Sequence, residues 1–185
     1  NVVAWMQQNL RLALEEELAR AVLIGDGREV SNPDKIKESN IRPIWKDDEL
    51  FSHKVLIDKD AKTEDIIDVV RRSRKFYKGS GMPVLFTTNA FVCDMLEIKD
   101  INKRYIYETK QAVANALNVS DVIEVEVMEG AKREVGGKTQ NLLGIIVNMQ
   151  DYTLGADKGG ETSFFEQFDI DFNQQKYLLE ARCSG

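Results

Sequence analysis

Between Val2 and Ile24 apolar residues recur every three or four positions. Val3, Met6, Leu10, Leu14, Leu18 and Ala21 fall on one face, with Gln7, Gln8, Arg11, Glu15, Glu16 and Arg20 opposite. The spacing predicts a single amphipathic helix, roughly 34 Å long at the usual rise per residue. Gly25-Asp26-Gly27 should stop it, because glycine enters the left-handed conformation without a Cβ clash. A helix of this length reads as a beam rather than as a piece of a small core.

From Glu29 to Asp60 the pattern is irregular: Ser31-Asn32-Pro33-Asp34 is turn chemistry, and Ile41-Arg42-Pro43 is pushed away from helix by its proline. His53–Asp58 alternates enough to predict a short strand. Thr63 is placed to cap a helix carrying Ile66, Ile67, Val70 and Tyr77 inward, with Glu64 and Asp65 at its positive end and Gly79-Ser80-Gly81 as its stop. Pro83–Thr88 predicts a central strand. Asn89 and Thr109 are expected to cap two further helices, the first with Phe91, Val92, Met95 and Leu96, the second with Val113 and Leu117.

Val122–Met128 alternates, with Ile123, Val125 and Val127 predicted to face inward and Glu124 and Glu126 outward. A glycine-bearing loop leads to Leu142–Met149, expected to pair with it as a long hairpin. Ser163–Phe172 and Tyr177–Cys183 read as closing strands. The whole predicts an α+β chain, its middle forming one domain and its two ends a helix-and-strand platform.

Composition narrows the function classes. The chain has 185 residues, 43% of them hydrophobic, enough for a packed domain rather than disorder. The formal net charge of −6 opposes general binding to polyphosphate. No apolar run reaches membrane-spanning length. Cys93 and Cys183 lack metal or redox spacing; Cys93 is expected to be a small buried hydrophobe, and no disulfide between the two is expected. The single histidine, His53, disfavours imidazole-based triads and His-rich metal sites. No catalytic residue, metal ligand or cofactor is expected.

Gly25-Asp26-Gly27 lacks the Lys-Ser/Thr of a phosphate loop and the spaced carboxylates of a calcium loop, so it reads as a helix end. Asp169 and Asp171 share one side of a strand and could hold a divalent metal; they read equally as the solvated side of an edge strand. The basic run Arg71-Arg72-Ser73-Arg74-Lys75 could meet nucleic acid or an acidic partner, and a solvated helix face is the simpler reading. Glu17, beside the apolar stripe of the first helix, could pair with a neighbouring subunit.

Several segments, in this order, resemble major capsid proteins of tailed bacteriophages, the Hong Kong 97-type fold. Leu18–Gly27 is similar to the end of that family's spine helix. The Thr63 helix, the Val84–Thr87 strand, Lys103-Arg104-Tyr105-Ile106-Tyr107, Ala116-Leu117-Asn118-Val119, Val122–Val127, Asp169–Phe172 and Tyr177–Arg182 follow in similar order. The resemblance covers essentially the whole chain. It implies a spine helix plus a central sheet with flanking helices: residues 1–62 as peripheral-domain spine and connection, 63–150 as axial domain, and 151–185 as strands returning to the peripheral domain.

It also implies a structural head protein that assembles into hexamers and pentamers of an icosahedral shell around phage DNA. The partners would be further copies of the chain, with a scaffold or prohead protease during assembly, and neither a membrane nor specific nucleic acid. Its location would be the virion, and the bacterial host cytoplasm before assembly. The family's N-terminal arm and extended loop precede its spine helix, so the chain is expected to be a fragment, and no cross-linking lysine is carried over. The loop Lys99–Arg104 would be a polar tip near the local symmetry axis. Two other classes remain open: an encapsulin-like nanocompartment shell, and a metal-dependent enzyme using Asp169 and Asp171.

Overall fold

The computed structural model describes residues 2–28, 31–33, 36, 38–156, 163–169 and 174–185, without the side chains of residues 168, 169, 174 and 175. Its architecture is α+β. The chain divides into two compact units, Asp47–Tyr152 and a second one made of Asn1–Lys46 with Thr153–Gly185.

Helix α1 spans Val2–Leu23. Its last turn is the buried part: Ala21, Val22, Leu23 and the following Ile24 are all under water-excluding cover. The amides of Ile24 and Gly25 both bond the Arg20 carbonyl, at 3.0 and 2.8 Å, and the chain turns there with Gly25 at φ +81°. A Cβ at Gly25 would stand 2.6 Å from Glu38 Oε1, a side-chain end that can shift, so it is the positive φ that calls for glycine. The returning segment satisfies the helix's last carbonyls: Ile44 N–H donates to Val22 O and Trp45 N–H to Leu23 O.

The Asp47–Tyr152 unit holds three helices against a small sheet. Helix α2 (Thr63–Ser73) continues into a 3-10 turn over Arg74–Phe76. The predicted Thr63 cap is corrected: Lys62 occupies the cap position, its carbonyl taking the Ile66 amide, and its side chain makes no cap bond. Strand β1 (Val84–Thr87) is followed by α3 (Asn89–Leu96), whose cap is Thr88 rather than Asn89, the hydroxyl accepting the Phe91 amide. Helix α4 (Lys110–Leu117) is capped by Thr109 as predicted, through the Ala112 amide, and ends at Asn118 in the left-handed region.

Strand β2 (Val122–Glu124) pairs parallel to β1. A hairpin of β3 (Lys132–Val135) and β4 (Lys138–Asn141) follows, turning through Gly136 and Gly137, both at positive φ as a tight two-residue turn demands. Strand β5 (Gly144–Val147) returns antiparallel to β1, giving the order β2-β1-β5. The expected hairpin between Val122–Met128 and Leu142–Met149 is therefore absent, because β1 lies between the two.

The inward phase of β2 also differs from expectation. Val122 is buried and Ile123 is 39% exposed. Both residues are apolar, so alternation alone permits either phase. Register decides it: Val122 and Ile146 flank Leu85 in one row across the sheet. That row closes the core formed by Ile66, Ile67, Val92, Met95, Val113 and Leu117. After Glu124 the chain turns into a 3-10 turn over Glu126–Met128 that buries Met128 completely. His53–Asp58 forms no strand.

In the other unit, β6 (Gly155–Ala156) pairs with β9 (Cys183–Ser184), and β7 (Ser163–Asp169) pairs antiparallel with β8 (Gln174–Glu180). β8 lies against α1, where Tyr177 shares a shallow groove with Trp5, Met6 and Leu10. The stripe of α1 is thus half-covered at Met6 and Leu10.

Met95 has no exposed surface and sits among all three helices of the core. Met95→Ala should cost about 2–5 kcal/mol through lost burial and the cavity left behind. A urea unfolding curve should show the midpoint fall by a corresponding amount.

Candidate functional site

The densest polar cluster joins the Gly79-Ser80-Gly81 turn to the end of β5. Asp151, in a 3-10 turn over Met149–Asp151, receives Ser80 Oγ–H at 2.5 Å, Ser80 N–H at 2.9 Å and the Tyr77 hydroxyl at 3.3 Å. Asn148 donates its side-chain amide to the Ser80 carbonyl at 2.8 Å. The Arg74 guanidinium lies 4.6 Å from the Tyr77 ring centre and donates to the Asn118 carbonyl.

The electrostatics follow from those bonds. The Ser80 side-chain hydrogen bond, aided by the Ser80 amide and Tyr77, holds the Asp151 carboxyl below its ordinary range. Burial, with the adjacent Asp151 charge, raises the Tyr77 phenol. A carboxylate made less basic in this way is a poor proton acceptor. Ser80 and Asp151 therefore form a clasp, not an activated nucleophile: their bond holds together two chain segments 71 residues apart. No local sequence signal pairs residues at that distance.

A second cluster fastens α4 to β2. Glu124 pairs with Lys110 and accepts from Asn89 Nδ2 at 3.1 Å; the Lys110 bond first, then Asn89, lowers its carboxyl pKa.

The sequence candidates fall in separate places. Asp26 is buried, and its carboxylate accepts from the Arg28 and Ile36 amides at 3.2 and 2.7 Å, pinning the turn after α1. Glu17 Oε1 meets Arg28 of its own chain at 3.4 Å. Arg71, Arg72 and Lys75 are exposed at the end of α2 and in its 3-10 extension. His53 is exposed, its ring 4.5 Å from that of Phe76. Asp169 ends β7; its side chain and the whole of Asp171 lie outside the described residues. Among the described residues no group of three or more His, Cys, Asp or Glu side chains could hold a metal. None of their helices is long and apolar enough to cross a membrane.

Cys93 is corrected. It is exposed on α3, its thiol 3.6 Å from Asn89 Oδ1, because Phe91, Val92 and Met95 take the inward positions of that short helix. Cys183 is half-buried on β9 in the other unit.

In the Lys99–Arg104 loop, Arg104 N–H donates to Asp100 Oδ1 at 2.9 Å, and the Asp100 amide donates back to the Arg104 carbonyl at 2.8 Å. Lys103 sits at φ +62°, and Ile101 at the tip is fully exposed. No family model, curated protein or solved structure matches this chain.

Two outcomes test this picture. A carboxyl whose folded pKa is lowered stabilises the fold above its ordinary value of 3.8, and the gain fades as pH falls through the lowered value. Asp151→Asn should therefore lower the urea midpoint at neutral pH and lose that difference in acid, while equal destabilisation at both would contradict the clasp. Thiol titration of the native protein with a disulfide reagent should find Cys93 reacting at once and Cys183 slowly. Unfolding without reductant should release both.

Proposed function

We propose that this chain is the core of a major capsid protein of the tailed-bacteriophage, Hong Kong 97-type fold. It would be a structural subunit that self-assembles into hexamers and pentamers of an icosahedral shell around DNA. The observation that carries the reading is the order of the units along the chain. A long N-terminal helix and the C-terminal strands close one unit, and an α+β unit is inserted between them. The resemblance in sequence expects this order for a peripheral domain built on a spine helix and an axial domain within it.

Two further features support it. The Lys99–Arg104 loop, with its polar flanks and fully exposed Ile101, suits a tip meeting other subunits near a symmetry axis. The polar clusters join chain segments instead of converging on a reacting centre. On this reading the chain is not an enzyme and carries no cofactor. Its partners are copies of itself, with a scaffold or prohead protease during assembly, and it resides in the virion after leaving the host cytoplasm.

Shells of this kind rest on many weak contacts, and arms that overlap neighbours supply much of the contact area. Residues 1–185 alone should remain a monomer or small oligomer at micromolar concentration in sedimentation velocity. Protein expressed from the complete open reading frame that contains them should form closed shells tens of nanometres across in negative-stain micrographs. Closed shells from residues 1–185 alone would refute the role given to an arm. No shells from the complete protein, under varied salt and with its protease or scaffold supplied, would sink the capsid reading.

A further inference from the structure

His53-Lys54-Val55-Leu56-Ile57 has the alternation of a strand and enters no sheet. Among the described residues, the backbone N–H groups of Val55, Leu56 and Ile57 make no hydrogen bond. Leu56 is 70% exposed and Val55 38%. A strand-like sequence with open amides and apolar side chains in water is a template for pairing with another chain.

Beside this segment, against the C-terminal half of α2, lies a cleft of about 330 Å³, lined by His53, Lys54, Val69, Arg72, Lys75 and Phe76 among others. Its lining mixes the basic Lys54, Arg72 and Lys75 with the apolar Val55, Leu56, Val69 and Phe76. Lys54 is half-buried, its ammonium donating to Ser52 Oγ at 2.8 Å. Burial first, then the neighbouring Arg133, lowers its pKa, while Asp47, Glu49 and Asp48 act the other way. Those three carboxylates compensate the Lys54 end, which leaves Arg72 and Lys75 as the anion-facing end.

Arg71 and Arg72 stand four and three residues before Lys75, and none of the three forms an ion pair among the described residues. Like charges at that spacing repel, so an anion set among them removes a cost the free protein carries. Lys75 Nζ lies 4.8 Å from the centre of the Phe76 ring, the same ring that packs against His53.

We propose that this cleft binds an acidic, partly apolar peptide in extended form, which adds as a strand beside Val55–Ile57 and sets carboxylates against Arg72 and Lys75. Main-chain bonds to the open amides give affinity, and the alternating side chains fix register. The acidic groups face the cations, while apolar ones on the other face cover Leu56, more exposed than Val55.

A peptide fits better than nucleic acid. The aromatic ring a base would stack on is already contacted by His53 and Lys75. Exposed Val55 and Leu56 offer aliphatic contact that phosphates cannot use. The inference goes beyond the shell reading and does not depend on it.

Fluorescence anisotropy with a short labelled peptide alternating Asp and Leu tests it on the whole chain. Saturable binding is expected, weakened about tenfold or more by Arg72→Glu with Lys75→Glu and several-fold by Leu56→Ser. Circular dichroism verifies that these surface variants remain folded. The same peptide with alternate backbone nitrogens methylated should bind at least about tenfold more weakly to the unaltered protein, since the methyl groups keep its paired edge from approaching the Val55–Ile57 backbone and remove that edge's own N–H donors. The proposal is overturned by absent binding, by indifference to charge reversal, by equal binding of the methylated peptide, or by an oligothymidylate that binds more tightly and displaces the peptide.

Discussion

The central unit depends on β1 being paired on both sides while one of its rows faces the helices. Leu85 sits between Val122 and Ile146, and this apolar row must be covered for the sheet to be stable, since so short a sheet has little worth of its own in water. Helices α2, α3 and α4 supply the cover through Ile66, Ile67, Val92, Met95, Val113 and Leu117. Thr87, the one polar side chain wholly buried on β1, is accommodated because its hydroxyl donates to the Leu143 carbonyl at 2.6 Å. That bond also fixes where β5 begins. Packing and register in this unit are thus one constraint, and the clasps at Asp151 and Glu124 fasten its edges.

Features governed by near neighbours in sequence were legible. The extent of α1 and its stop at Gly25, the Thr109 cap and the apolar run of β1 each depend on residues within one or two turns. Cap positions slipped by one residue at Lys62 and Thr88, where two adjacent residues compete and the entry angle of the chain selects between them. Register was not legible: Val122 and Ile123 offer two equivalent phases, and only the distant strand β1 chooses. The same limit hid β1 lying between β2 and β5.

The polar clusters were less legible still. Asp151 reads as one more surface carboxylate, and Ser80 as a turn residue. Their joint role exists only once α2 and β5 bring their ends together. Cys93 has apolar neighbours in sequence but faces solvent in the fold. Asn89 and Cys93 are four apart on the outer side of α3, and the inner side is filled by larger residues. The basic run was visible from the start; the cleft beside it needed the 53–57 segment, whose missing ladder no local pattern foretells.

The discontinuous unit bears on the order in which a nascent chain can acquire structure. Gly185 exchanges backbone hydrogen bonds with Asn40 and Arg42, so that unit cannot complete its pairing until the ribosome has delivered Gly185. Every strand pairing of the Asp47–Tyr152 unit is available earlier, since all its strands lie within those residues. Once that middle portion has collapsed, the effective loop separating Asn40 from Gly185 is shorter than the chain between them, and closing it costs correspondingly less entropy. Synthesis from the N-terminus therefore lets the inserted unit mature before the unit that holds α1, whose apolar stripe stays uncovered until β8 has been made.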